Sequence, residues 1–166
     1  MSSGGGGIVM GEGFRLVSDG HMDRLLVGGL DLNTDLNVIS GMDAFGAVCS
    51  KYNSEPDKAM RPFDQDRAGT VITDGGAMFL FETVESALAR GAKVYGEVAG
   101  FGMTCDAFHV LRPTDSGIGM ISAIQQALIM AKVTPDMIDL FNCHATSTQV
   151  GDLSEAKCIA SLLKAH

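Results

Sequence analysis

Two periods of apolar and polar residues succeed one another along this chain, and the switches between them mark out its elements. From Val9 to Asp19, Met10, Phe14 and Val17 recur on one side and Glu12, Arg15 and Asp19 on the other, which predicts an amphipathic helix over 9–19 with Gly20 placed to end it. Leu25-Leu26-Val27 running into Gly28-Gly29 predicts a short buried strand near 24–29, and residues 33–57 read as loop with one short helix. The unbroken apolar run Ala77–Phe81 predicts an interior strand over 77–82, followed by a helix from Glu82 to Arg90 closed by Gly91. Another strand is expected near 94–102. A helix over 116–132 follows, with Ile121, Ile124, Leu128 and Ala131 on one face and Asp115 or Ser116 as its cap. A buried strand near 138–143 leads into a last helix over 152–164. There Leu153, Ala156, Ala160 and Leu163 form the expected buried face, and Asp152 with Glu155 a capping-box-like pair. Strands alternating with helices imply an α/β fold with a mostly parallel sheet.

Composition narrows the function classes. Hydrophobic residues make up 46% of the 166, yet no run approaches the roughly 20 residues that a membrane-spanning helix needs. The excess is expected to lie in elements covered on both faces. Glycine, at 21 residues, suits tight strand–helix connections. A net charge of −8 with only 12 basic residues, none in a run, argues against a nucleic-acid partner. Cys49, Cys105, Cys143 and Cys158 form no C-x-x-C pair, and His21, His109, His144 and His166 are scattered, so no metal site is expected and free thiols are. The glycines from Gly4 to Gly13 are no dinucleotide fingerprint, since no strand precedes them. The methionines at 10, 120 and 130 fall on helix stripes and are read as core.

The densest chemistry is Asn142-Cys143-His144-Ala145-Thr146-Ser147-Thr148, followed by Gly151-Asp152. A histidine leaving the end of a buried strand stands where α/β proteins place ligands, and three hydroxyl side chains follow it at once. An imidazole and two threonine hydroxyls can bind a carbonyl oxygen and an amide-bearing chain. The alternative on local chemistry is a hydroxyl cluster that only caps the next helix. Cys143 and His144, adjacent on a strand, would point to opposite faces and form no dyad, so Cys143 is read as a buried small hydrophobe.

This segment resembles the N-A-H-[GA]-T-S-T motif of β-ketoacyl synthases. Three further stretches match the same family in order. Arg61 to Gly69 is similar to R-P-F-D-x-x-R-D-G, Gly91 to Val98 to R-G-A-K-I-Y-A-E-[IV], and Gly100 to His109 to G-Y-G-M-S-S-D-A-Y-H. The resemblance runs nearly the whole chain. It implies a partial thiolase-like layered fold, α-β-α-β-α, with residues 1–90 ending its first half and 91–166 starting its second. It implies a 3-oxoacyl-[acyl-carrier-protein] synthase of fatty-acid elongation, an acyltransferase performing the decarboxylative Claisen condensation of malonyl-carrier protein with an acyl thioester. His144 matches the first of two enolate-stabilising histidines, and Thr146 and Thr148 match the threonines that bind the phosphopantetheine arm. No cofactor or metal is implied beyond that carrier-borne arm. The implied partners are an acyl carrier protein and a second copy in a homodimer. Ala145 is similar to mitochondrial and plastid members, which suggests the mitochondrial matrix, or the cytoplasm for a bacterial source.

The chain also departs from the pattern. Ser3 stands where the family's T-A-C segment has its nucleophilic cysteine, and a serine hydroxyl is far less ionised. The K-x-x-x-G-H segment with the second histidine is not in these 166 residues, so the chain is expected to be an internal fragment, inactive alone. Ala68 replaces an aspartate, Thr73 to Ala77 stands for G-E-G-A-G, and Leu111 replaces a substrate-facing threonine. His109 is read as structural or as lying near the substrate channel. The rival readings are a non-catalytic thiolase-fold relative kept as a subunit or scaffold, and a polyketide-type ketosynthase.

Overall fold

A computed structural model describes residues 3–163. His166 and the last residue of the expected helix 152–164 lie outside the described residues. The elements are helix α1 (Gly5–Ser18), strand β1 (Arg24–Asp31), helix α2 (Leu36–Ala44), strand β2 (Gly75–Glu82), and helices α3 (Val84–Ala89), α4 (Ile118–Ala131) and α5 (Gln149–Leu163). Single 3-10 turns lie at Pro56–Lys58 and Pro135–Met137.

α1 starts four residues before the expected helix, on Gly5, although glycine is a poor helix former. Packing supplies what propensity does not: Gly11, Gly13 and Val17 are buried, with Val27 of β1 lying directly over Gly13. Arg15 bridges Glu12 at 2.9 Å and Asp19 at 3.7 Å on the outer face. Gly20, at φ 74°, ends the helix as expected, its N–H donating to the Val17 carbonyl. α4 begins at a left-handed Gly117 with no side-chain cap, so neither Asp115 nor Ser116 caps it. Its Ile121, Ile124, Leu128 and Ala131 do form a half-buried stripe, while Met130 faces solvent instead of the core.

The fold is α/β, but among the described residues the sheet is not mostly parallel. β1 and β2 pair antiparallel from Arg24↔Glu82 to Asp31↔Gly75, and the one parallel contact is an isolated bridge between Val48 and Thr70. The expected strands at 94–102 and 138–143 form no ladder. A strand is defined by its hydrogen-bonding partner, and an apolar run alone does not supply one. β2 is also no interior strand: Met78, Phe79 and Leu80 are exposed, and among the described elements it is α1 that packs on the sheet.

Gly100-Phe101-Gly102 does the packing work expected of a strand there. The Phe101 ring lies against Gly11 of α1, while Gly100 and Gly102 sit on the carbonyls of Ala127 and Ala123 in α4. A Cβ at Gly102 would fall on the Ala123 carbonyl oxygen, an atom held in the helix. Gly102→Ala is therefore expected to destabilise by about 2 kcal/mol, measurable by urea unfolding. No loss would mean that the segment does not rest on α4.

Candidate functional site

The chemistry-bearing segment 142–148 leads directly into α5, and α5 is rotated from the expected orientation. Its buried residues are Asp152, Ser154, Glu155 and Cys158, while Leu153 is 51% exposed and Ala156 and Ala160 face solvent. The polar side points inward because backbone donors wait there. Glu155 accepts from the N–H of His144 at 2.6 Å and of Ala145 at 2.9 Å. Asp152, 1% exposed, accepts from Ser147 N–H at 2.9 Å and from Phe63 N–H at 2.7 Å. The pair is thus no capping box. The two carboxylates hold two loops against one helix end, and the charge of Asp152, in the first turn of α5, is favoured by the helix dipole. Threonine does the capping: the Thr148 hydroxyl accepts from Gly151 N–H at 3.2 Å.

The 61–69 segment closes the arrangement from the other side. Ser147 is fully buried; its hydroxyl accepts from Arg61 N–H at 3.2 Å and its carbonyl from Gly69 N–H at 3.0 Å. Arg67, with a side chain 13% exposed, donates to the carbonyls of Thr148 at 3.1 Å and Gln149 at 2.8 Å and lies 3.6 Å from Asp152. Two motifs 80 residues apart are thereby one polar unit. The Arg61 guanidinium stacks over Tyr52 at 4.6 Å, and the Tyr52 hydroxyl donates to the Asp66 carbonyl at 3.0 Å.

These contacts hold an unusual backbone. Ala145 (φ 49°), Ser147 (φ 64°) and Phe63 (φ 64°) all lie in the left-handed region, which costs a residue with a Cβ roughly 1–2 kcal/mol. Two of these positions fall in the segment 142–148, and Ala107 and Lys132 elsewhere also have positive φ. Ala145→Gly is expected to raise stability by about 0.5 kcal/mol, the relief of strain being partly offset by the freer unfolded chain. A lower melting temperature in that variant would contradict the strained geometry.

The outcome of this folding is a pair of hydroxyls. Thr146 Oγ1 and Thr148 Oγ1 lie 2.9 Å apart over Gly151, where a Cβ would meet both. His144 follows an irregular stretch rather than a strand; its backbone is tied to Glu155 and its imidazole is exposed. Neither of two grooves, one beside Arg24 and Ser86 and the other along Thr104–Pro113, is lined by His144, Thr146 or Thr148. Ser3 lies in an exposed turn just before α1. Cys143 is half-buried rather than buried. Burial, then the Glu155 and Asp152 carboxylates, push its thiol pKa up, so it is a poor nucleophile. Among the described residues no cluster of three His, Cys, Asp or Glu side chains could hold a metal ion, and no helix is long and apolar enough to cross a membrane. Sequence reasoning passed over Arg67, Ser147 and the inward carboxylates. No periodic signal marked them, since the stripe Leu153, Ala156, Ala160 and Leu163 is unbroken in the sequence.

Comparison with known proteins finds similarity over most of the chain. The N-terminal domain of β-ketoacyl synthases matches residues 2–87 and the C-terminal domain matches residues 95–166. A mitochondrial 3-oxoacyl-[acyl-carrier-protein] synthase of Arabidopsis thaliana is 38% identical over 95% of this chain and 34% of its own length. A 3-oxoacyl-[acyl-carrier-protein] synthase 2 of Vibrio cholerae is 42% identical over 93% of this chain and 37% of its own. The chain thus spans little more than a third of these relatives. Among solved structures, a β-ketoacyl synthase from Burkholderia phymatum superposes with a TM-score of 0.91 at 33% identity, over 97% of this chain and 38% of the other. A ketosynthase in complex with its type II PKS acyl-carrier protein gives 0.94 at 28% identity, over 97% and 40%.

Proposed function

The chain belongs to the β-ketoacyl synthase family, with a partial thiolase-like fold, and from that premise we propose that it is part of a 3-oxoacyl-[acyl-carrier-protein] synthase. The reaction is decarboxylative Claisen condensation. Malonyl on an acyl carrier protein loses carbon dioxide, and the enolate formed attacks the carbonyl of an acyl thioester, forming the new carbon–carbon bond and expelling the thiolate. The observation that carries this reading is the clasp. Two carboxylates and Arg67 fix a strained loop that pairs the Thr146 and Thr148 hydroxyls and presents His144 beside them in sequence.

In this reading the His144 imidazole donates a hydrogen bond to the enolate oxygen as charge develops there. The paired hydroxyls of Thr146 and Thr148 bind the amide-rich phosphopantetheine arm. The partners are an acyl carrier protein and a second copy of the synthase, with no cofactor beyond the carrier's arm. The exposed apolar residues of β1 and β2, Leu26, Leu30, Met78 and Leu80 among them, support burial against further protein. Residues 1–90 close the first thiolase-like half and 91–166 open the second. The compartment is the mitochondrial matrix or a bacterial cytoplasm, supported by the plant and bacterial relatives.

The test is carbon–carbon bond formation from acyl- and malonyl-carrier-protein thioesters. The complete protein is expected to release a 3-oxoacyl product, and chain 1–166 alone to give none. Turnover by the isolated chain at the rate of a complete synthase would contradict the reading. One observation favours a second reading, a non-catalytic thiolase-fold subunit: Ser3, not cysteine, stands in the turn before α1. A correctly folded complete protein that takes up no acyl group would select it.

A further inference from the structure

Every nitrogen of the Arg67 guanidinium donates to a main-chain oxygen. Nη1 reaches the Asp64 carbonyl at 2.9 Å, Nε the Thr148 carbonyl at 3.1 Å and Nη2 the Gln149 carbonyl at 2.8 Å. Gln149 returns the contact, its side-chain amide donating to the Arg67 carbonyl. Two residues 82 positions apart thus exchange side-chain-to-backbone bonds in both directions. The grip falls at the start of α5, where the Thr148 carbonyl also accepts the Asp152 N–H at 3.3 Å. The helix dipole disfavours a cation there. Capping does not require one, since the Thr148 hydroxyl already accepts the Gly151 N–H.

What the guanidinium adds is direction. A planar fork fixes two successive carbonyls at once, which a point charge does not. The loop is also held separately on its two sides: Ser147 by Asp152, Arg61 and Gly69, and Thr148 by Arg67. Loss of the fork therefore frees Thr148 and leaves Ser147 in place. Thr148 Oγ1 is one half of the hydroxyl pair, 2.9 Å from Thr146 Oγ1. We propose that Arg67, latched by Gln149, is a positioning residue that sets the angle of this pair, and so governs affinity for the carrier-borne substrate and not the rate of the chemical step. That role rests on the reading in which the pair binds the carrier arm.

Two variants test it in the complete protein. Arg67→Lys keeps a cation near Asp152 and removes the fork, while Gln149→Ala, at an exposed position, removes only the returning bond. Arg67→Lys is expected to raise KM for malonyl-carrier protein about tenfold and Gln149→Ala about threefold, with kcat within about twofold in both. Melting temperatures should stay close to that of the wild type. A fall in kcat and melting temperature at unchanged KM marks a merely structural residue and overturns the proposal. Amide hydrogen exchange reads the geometry without turnover. Gly151 and Asp152, whose N–H groups bond to Thr148, should exchange about tenfold faster in Arg67→Lys, while Ser147 and Phe63, held by Asp152, keep their rates. Unchanged exchange at Gly151 and Asp152 overturns the proposal, as does faster exchange with KM unchanged. Faster exchange in a protein whose wild type does not turn over malonyl-carrier protein keeps the positioning of the pair and removes the synthase reading.

Discussion

Asp152→Asn is expected to destabilise the chain by about 3 kcal/mol, although it changes almost nothing in shape. Asp152 is 1% exposed and its two oxygens are both in use, Oδ1 by Ser147 N–H at 2.9 Å and Oδ2 by Phe63 N–H at 2.7 Å. An asparagine keeps one acceptor and turns an NH₂ group against the other donor. That leaves a buried backbone N–H unpaired and Arg67, 3.6 Å away, without its counter-charge. The loss falls on two motifs at once, since Phe63 and Ser147 belong to loops that meet through this carboxylate. Urea unfolding of the wild type and the variant measures it. A shift below about 0.5 kcal/mol, the range of an ordinary surface substitution, would show that Asp152 is not the hub. Glu155→Gln follows the same logic through His144 and Ala145, with a smaller loss expected because Glu155 is less deeply buried, at 8%.

How much of this was legible beforehand depended on whether a feature is local. α1, α4 and the end of α1 at Gly20 follow from periodicity and from glycine's freedom at positive φ, both written into short windows. Segments 94–102 and 138–143 carry the apolar runs of strands and form no ladder, because pairing is a property of two segments and only one was being read. α5 misled for a different reason. Leu153, Ala156 and Ala160 make a plausible apolar stripe, yet the helix turns the other way to bring Asp152 and Glu155 to loop N–H groups whose need no helical wheel displays. The family motifs pointed to His144, Thr146 and Thr148. They did not reveal that the two threonine hydroxyls meet at 2.9 Å, or that Arg67, Ser147 and Asp152 hold them there. Those supports are long-range polar contacts, which leave no periodic trace.

The largest effect on rate is expected from His144→Ala in the complete synthase. The imidazole is exposed, and the residue's structural tie is its backbone N–H to Glu155, which alanine retains. Folding should therefore survive the change. An enolate oxygen needs a fixed donor at the moment charge develops on it, and removing one such donor typically costs about 10²–10³ in rate. Malonyl decarboxylation and condensation should fall by that factor, while acyl loading, which passes through no enolate, stays close to normal. A purely structural histidine would behave otherwise, lowering the melting temperature and all steps in proportion.

The most direct measurement is malonyl decarboxylation by the His144→Ala synthase, read beside acyl loading and melting temperature on the same preparation. The account predicts decarboxylation reduced at least a hundredfold, with loading and melting temperature essentially unchanged. Decarboxylation at the wild-type rate with His144 gone would contradict it.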